Sequence, residues 1–106
     1  MDKREEIIKI KEIQDKILKG EYHFSDHAVK MMIKRFIERF EVEDAIMKGE
    51  IIEEYPDDKY YPSCLIYGKT GRERNLHIQV SLPPTVVIIT TYEPEPDEWL
   101  DSKIRR

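Results

Sequence analysis

The hydrophobic period of the chain changes once, at Gly49, and that change restricts the fold more than any other feature. Before it, apolar residues recur three and four positions apart: Ile7, Ile10, Ile13 or Gln14, Ile17 and Leu18, then Val42, Ala45 and Ile46. That spacing lines one face of a helix. After it, "EIIEEYP", "YYPSCLIYG", "NLHIQVSL" and "VVIITTY" read as strands bounded by prolines and turn residues. In the third of these, Leu76, Ile78, Val80 and Leu82 alternate with His77, Gln79 and Ser81, which predicts one buried face and one polar face. "VVIITTY" is almost continuously apolar, as in a strand that is central or covered on both sides. Helices followed by strands with short connections predict an α+β fold, its N-terminal helices packed on one face of a four- to five-stranded antiparallel sheet.

Local signals set the boundaries. The first helix is predicted over residues 2–19, with Gly20 as its C-terminal cap. Tyr22 and Phe24 alternate with His23 as in a short strand, and Ser25 reads as the N-cap of a helix from Asp26 to Arg35. "FIERFE", which follows, is compatible with one continuous helix or a bend between two. The organisation is a single domain: a helix in 1–20, a short strand and helices in 22–49, the sheet in 50–93, and a proline-interrupted tail in 94–106 anchored by Trp99 and Leu100.

At 106 residues the chain can build one modest core. Charged residues make up 38%, so that core must come from well-patterned stripes beneath a densely charged surface. The heavy use of Glu, Lys and Ile with a single Cys suggests a thermophilic source. Charges interrupt the N-terminal stretch every few positions, so neither a signal peptide nor a membrane span is expected and a cytoplasmic location is. Cys64 has no partner for an internal disulfide, and it reads as a buried small residue rather than an activated nucleophile. His23 and His27 are four apart, but Ser25 places His23 before the helix, so no metal or other cofactor is expected. The net charge of -4 argues against broad polyphosphate binding. Three local basic clusters stand against that balance: Lys30, Lys34, Arg35 and Arg39; Lys69, Arg72 and Arg74; and Lys103, Arg105 and Arg106. Solvated surface charge is the leading explanation of each, with phosphate contact as the alternative.

"FSDHA", Met32, Arg35, Ile37, Val42, Ala45, Ile46 and Gly49, then "IIEEYPDDKYYPSCLIYG", His77 and "TTYEPEPDEW", together resemble a prokaryotic family known as domain of unknown function 4258. The resemblance runs from about Phe24 to the C-terminus. It implies kinship with the wider barnase, colicin and RelE-type group of small ribonuclease folds, with helices backing an antiparallel sheet. It also implies similarity to toxins encoded beside a small antitoxin with an MqsA-like zinc finger. Two positions depart from the family's usual pattern: Met31 stands where a basic residue is usual, and Phe36 where a glycine is usual.

Metal-independent RNA cleavage needs a base for the 2′-hydroxyl, an acid for the leaving oxygen and a cation for the phosphate. His27 and His77 are the candidate acid and base, and Arg35 or Lys34 the candidate phosphate clamp. On a helix from Asp26, Lys34 falls roughly 20° from His27 and Arg35 about 80° away. Tyr55 and Tyr92, at strand ends, are candidates for stacking on a base or donating to a phosphate. The leading expectation is a toxin-like endoribonuclease acting on RNA, with a cognate antitoxin as partner and no membrane. The rival is a non-catalytic protein- or RNA-binding domain on the same fold, which the acidic balance and Met31 favour. The catalytic reading requires His27, His77 and Arg35 to converge in one exposed concavity.

Overall fold

The computed structural model describes residues 3–59 and 61–106. Helix α1 spans Lys3–Leu18; the predicted start at Asp2 lies outside the described residues. Its inward stripe is narrower than the spacing implied, because Ile13 and Ile17 are buried while Ile7 and Leu18 are exposed. Gln14 resolves the ambiguity at that turn: Ile13 enters the core, and the Gln14 amide donates to the carbonyls of Ile46 and Met47 at 3.0 and 3.3 Å. Those carbonyls lie in the last turn of a later helix, where the Met47 carbonyl has no intrahelical partner and the Ile46 carbonyl also accepts from the Gly49 N–H.

Strand β1 (His23–Phe24) leads into helix α2 (Asp26–Arg35), and Ser25 sits between them as the expected N-cap. Its Oγ accepts from the Ala28 N–H at 3.0 Å and donates to the Ile89 carbonyl at 2.9 Å, so one side chain both starts the helix and ties it to the sheet. Helix α2 ends because Phe36 adopts the left-handed conformation (φ 55°, ψ 42°). Helix α3 (Arg39–Met47) then begins with a reciprocal capping box between Glu38 and Glu41. "FIERFE" is therefore a bend between two helices.

Strands β2 (Glu50–Tyr55), β3 (Ser63–Lys69), β4 (Asn75–Ser81) and β5 (Val87–Tyr92) follow, with β2 stopping before Pro56 and β3 starting after Pro62. The sheet order is β1-β5-β4-β3-β2. It is mixed rather than wholly antiparallel, since β1 runs parallel to β5 while the other neighbours are antiparallel. The two-residue β1 enters between helices α1 and α2, so no hairpin dictates its direction.

One sheet face meets the helices: Cys64, Ile66, Leu76, Ile78, Val80 and Ile88 are fully buried there. Helix α3 lies so close that a Cβ on Gly68 would fall 1.9 Å from the Ala45 carbonyl oxygen. The opposite face departs from expectation. Residues 94–106 form a second two-stranded sheet, β6 (Trp99–Leu100) with β7 (Ile104–Arg105), that covers part of it. Asp101 and Ser102 both have positive φ and the Lys103 N–H returns to the Leu100 carbonyl at 3.0 Å, the tight turn favoured by twisted hairpins. Trp99 is the anchor, at 4% exposure, whereas Leu100 is 42% exposed and anchors nothing.

Candidate functional site

His77 was expected on an open polar face; it is instead 0% exposed. The Trp99 ring meets it edge-on with centroids 4.4 Å apart, and Tyr92 meets it similarly at 5.3 Å. Its Nε2 bonds the Ser102 carbonyl in the hairpin turn, and its Nδ1 lies 3.3 Å from the Tyr92 hydroxyl. A carbonyl can only accept, so Nε2 carries the proton and Nδ1 takes the Tyr92 hydroxyl. Burial holds the imidazole below its ordinary pKa, against the smaller opposing pulls of the Ser102 carbonyl and Glu53. It is a neutral histidine with both nitrogens engaged.

The helical candidates lie elsewhere. His27, in the first turn of α2, is exposed and makes no side-chain hydrogen bond among the described residues. Lys34 is exposed in the last turn. Arg35 bends back onto the outer edge of β5, where its Nη1 donates to the Thr91 carbonyl at 2.9 Å. That contact closes an edge acceptor that β1 is too short to cover. His27 and Arg35 are eight residues apart, which is about 12 Å of helix rise.

Two concavities adjoin on the sheet face beside the hairpin. The larger, about 670 Å³, has Leu65 and Gln79 as its floor, the Tyr55–Asp58 corner as one wall, and Tyr92 with Arg105 as the other. The smaller, about 400 Å³, shares Tyr92 and Arg105 and adds Arg35, Trp99 and three glutamates, Glu93, Glu95 and Glu98. Arg35, Tyr55 and Tyr92 are thus gathered around this double groove. Neither part is lined by His27, Lys34 or His77.

Polar groups in the larger groove are ordered by one another. Ser63 Oγ and Gln79 Nε2 each donate to Asp58 Oδ2 at 3.0 Å, and Gln79 Nε2 also reaches Ser63 Oγ at 3.0 Å. Across the groove, Arg105 donates to both oxygens of Glu53 through Nε (3.2 Å) and Nη2 (2.9 Å), and stacks over the Trp99 ring at 4.5 Å. This pairing with Arg105 holds the Glu53 carboxyl below its usual pKa. Tyr55 donates to Glu53 at 2.5 Å, and burial first, then that bond, pushes its hydroxyl far above the ordinary phenol value. Arg105 reads from the sequence as part of a solvated basic cluster, and no sequence pattern brings Asp58 to Gln79 across the sheet.

The remaining basic residues are largely committed. Arg74 donates to the Phe36 carbonyl (2.8 Å), to Glu41 and Glu93 (2.9 Å each), and to the Arg35 carbonyl (3.3 Å). Lys69 pairs with Glu73 and Arg72 with Glu38. Lys103 pairs with Glu50 on the border of a third concavity of about 530 Å³, in which Lys48 is held by Asp44. Cys64 is fully buried, and that burial pushes its thiol up to about 12, so it is no nucleophile at neutral pH. Among the described residues no cluster of His, Cys, Asp or Glu is placed to hold a metal ion, and no helix is long and apolar enough to cross a membrane.

The model of one protein family, a domain of unknown function designated DUF4258, matches residues 24–93. The match begins at Phe24, as the motifs implied, and ends at Glu93, leaving the hairpin outside it. No curated protein and no solved structure matches the chain.

Proposed function

The chain belongs to the DUF4258 family, and from that premise we propose that it is a non-catalytic protein-binding domain built on a RelE-like scaffold. The observation that carries this reading is the state of His77: fully buried, neutral, and bonded through both ring nitrogens beneath the hairpin. A general acid or base must reach the proton it transfers. Among the described residues, the concavity that Arg35 lines is lined by neither His27 nor His77, which favours this reading over metal-free cleavage. The acidic balance and Met31 in place of the family's usual basic residue point the same way. The test is incubation of the purified chain with RNA in chelator, beside His27→Ala. The expected result is no cleavage above background by either protein. Cleavage by the parent chain that His27→Ala abolishes would overturn the reading.

A second reading keeps the toxin-like endoribonuclease, cytoplasmic and paired with an antitoxin. It is favoured by one observation: Arg35, Tyr55 and Tyr92 ring the groove directly beside the segment that covers His77. On this reading the hairpin must lift before the site assembles. Loosening it with Trp99→Ala should then switch on metal-free cleavage that a further His77→Ala change removes, and a short reading frame encoding a zinc-finger or DNA-binding partner should lie beside this one.

A further inference from the structure

The outer face of α2 carries apolar side chains that the fold leaves uncovered. Val29 and Ile33 stand one turn apart, about 40° from each other around the helix. Val29 is half-exposed, and Ile33 and Phe36 are 73% and 85% exposed. The Phe36 N–H returns to the Ile33 carbonyl, so its backbone lies one turn beyond Ile33, and its ring meets no other ring or cation among the described residues. Phe40, the next exposed phenylalanine, differs, because the Arg72 guanidinium covers its ring at 4.9 Å. Phe36 also holds a left-handed backbone (φ 55°), which a residue with a Cβ adopts at a cost in stability. The Arg74 bond to its carbonyl would serve any residue at that position. Nothing within the chain therefore accounts for the phenyl ring.

The charge beside these side chains is also unspent. Lys30 and Lys34 lie about 100° further round the helix than Val29 and Ile33 and form a strip of their own. Both are exposed, and neither makes an ion pair or hydrogen bond among the described residues. Lys48, Lys69 and Lys103, by contrast, each hold a carboxylate. Asp26 is the one carboxylate of α2, and it bridges to neither lysine.

An apolar stripe beside a positive strip is complemented by an apolar stripe flanked by carboxylates. A second copy of this chain does not supply that surface. Antiparallel pairing of two α2 helices sets the lysine strips side by side, and parallel pairing sets each strip against a helix with a single carboxylate. A phosphate backbone would engage the lysines but leave Val29 and Ile33 uncovered, and the net charge of -4 opposes it. An acidic amphipathic helix meets both strips at once.

We propose that the outer face of α2, formed by Val29, Ile33 and Phe36 with Lys30 and Lys34, docks an acidic amphipathic helix of a partner protein. The inference rests on the binding-domain reading above and names the surface and the partner's chemistry. The apolar stripe of the partner covers Val29, Ile33 and the Phe36 ring, and carboxylates along one of its flanks pair with Lys30 and Lys34.

The experiment is a titration of the full-length 15N-labelled chain, followed by NMR. The probes are a designed amphipathic helix with leucines at heptad positions a and d and glutamates at e and g, the same helix with lysines at e and g, and a single-stranded RNA oligonucleotide. The glutamate helix should shift the backbone signals of Val29, Ile33 and Phe36 saturably, and the lysine helix should bind on the order of ten-fold more weakly. The RNA should leave those signals in place. Joint Lys30→Glu and Lys34→Glu substitution should reverse the order of the two helices. Phe36→Gly should weaken the glutamate helix by roughly ten-fold, the loss of one aromatic anchor, while its unfolding midpoint stays at or above that of the parent, which a misfolded variant would not show. The proposal is overturned if the glutamate helix leaves the α2 signals unmoved, if the lysine helix binds equally well, or if RNA moves the same signals. It is also overturned if those signals shift with the concentration of the chain alone, which marks a second copy as the occupant. Absence of helix binding alongside absence of RNA cleavage removes the docking face and leaves the binding-domain reading standing; His27-dependent cleavage removes that reading itself.

Discussion

Trp99→Ala should release the hairpin and change the proton affinity of His77. The indole is 96% buried against the His77 ring, and the Arg105 guanidinium covers its other side. Truncating a buried tryptophan costs about 3–5 kcal/mol. The contacts left to hold the segment are the His77–Ser102 hydrogen bond, worth about 1 kcal/mol, and two half-exposed ion pairs, Lys103 with Glu50 and Arg105 with Glu53, each worth about 0.2–1 kcal/mol. They cannot make up the loss, so the hairpin detaches. His77 then loses both the Trp99 cover that desolvates it and the Ser102 carbonyl. Of the two, burial is the larger influence and lowers its pKa, so removal returns the ring toward the ordinary value of 6.5. An NMR titration of the imidazole C–H signals between pH 8 and 5 reads this directly. In the parent chain His77 should titrate below 6.5, and in the variant at about that value. The same linkage governs stability: a folded pKa below the unfolded one means that the unfolded state takes up the proton first as pH falls. The contribution of His77 is therefore complete above the unfolded value of 6.5 and is lost as pH drops below it, at no more than about 1.4 kcal/mol per pH unit. The depressed Glu53 carboxyl adds a separate loss at lower pH, below its ordinary 4.5. A parent His77 that titrates at or above 6.5, or a variant ring whose titration does not move, refutes the reasoning.

Three further outcomes can be read by urea or thermal unfolding. Arg74→Ala leaves the fully buried Glu41 without its cation, and breaking such a pair should cost about 3–5 kcal/mol. Glu41 Oε1 already lacks a partner, so adding Glu41→Gln should recover more than half of that loss; independent, additive effects would contradict the coupling. Gly68→Ala should destabilise by about 3 kcal/mol, because the 1.9 Å approach of its Cβ to the Ala45 carbonyl can be relieved only by lifting α3 from the sheet. Phe36→Gly should stabilise by about 0.5–1 kcal/mol, since it removes left-handed strain at a side chain that is 85% exposed and packs little.

Much of the helical layer was legible because its signals are local. Ser25 caps α2 as its position implied, and Gly49 sits where the hydrophobic period changes, one residue before β2 begins. The break at Phe36 was undecidable from periodicity, since the stripe of α2 can continue into α3; the left-handed backbone of Phe36 ends α2 there, and Arg74, from a distant turn, donates to the Phe36 carbonyl just past it. Sheet direction was less legible. A two-residue strand such as His23–Phe24 carries too little alternation to reveal whether it joins parallel or antiparallel.

The candidate site was misplaced for a more general reason. The alternation of His77, Gln79 and Ser81 with apolar neighbours distinguishes the two faces of β4 but does not show what each face meets. A polar side chain can be buried whenever another segment supplies its hydrogen-bond partner. Ser81 is buried because it accepts from the Val87 N–H at 2.8 Å and donates to the Thr85 carbonyl at 2.6 Å. His77 is buried because Ser102, twenty-five residues away, turns a carbonyl toward it. The segment that does this announces itself by one tryptophan between prolines and charges, with only Trp99 of its strand residues buried. Polar alternation therefore marks a face whose partners must be found elsewhere, and solvent is only one of the places to find them. On this chain the hairpin partners His77, while Gln79, two residues along the same strand, is bonded to Asp58 and lines the groove that stays open.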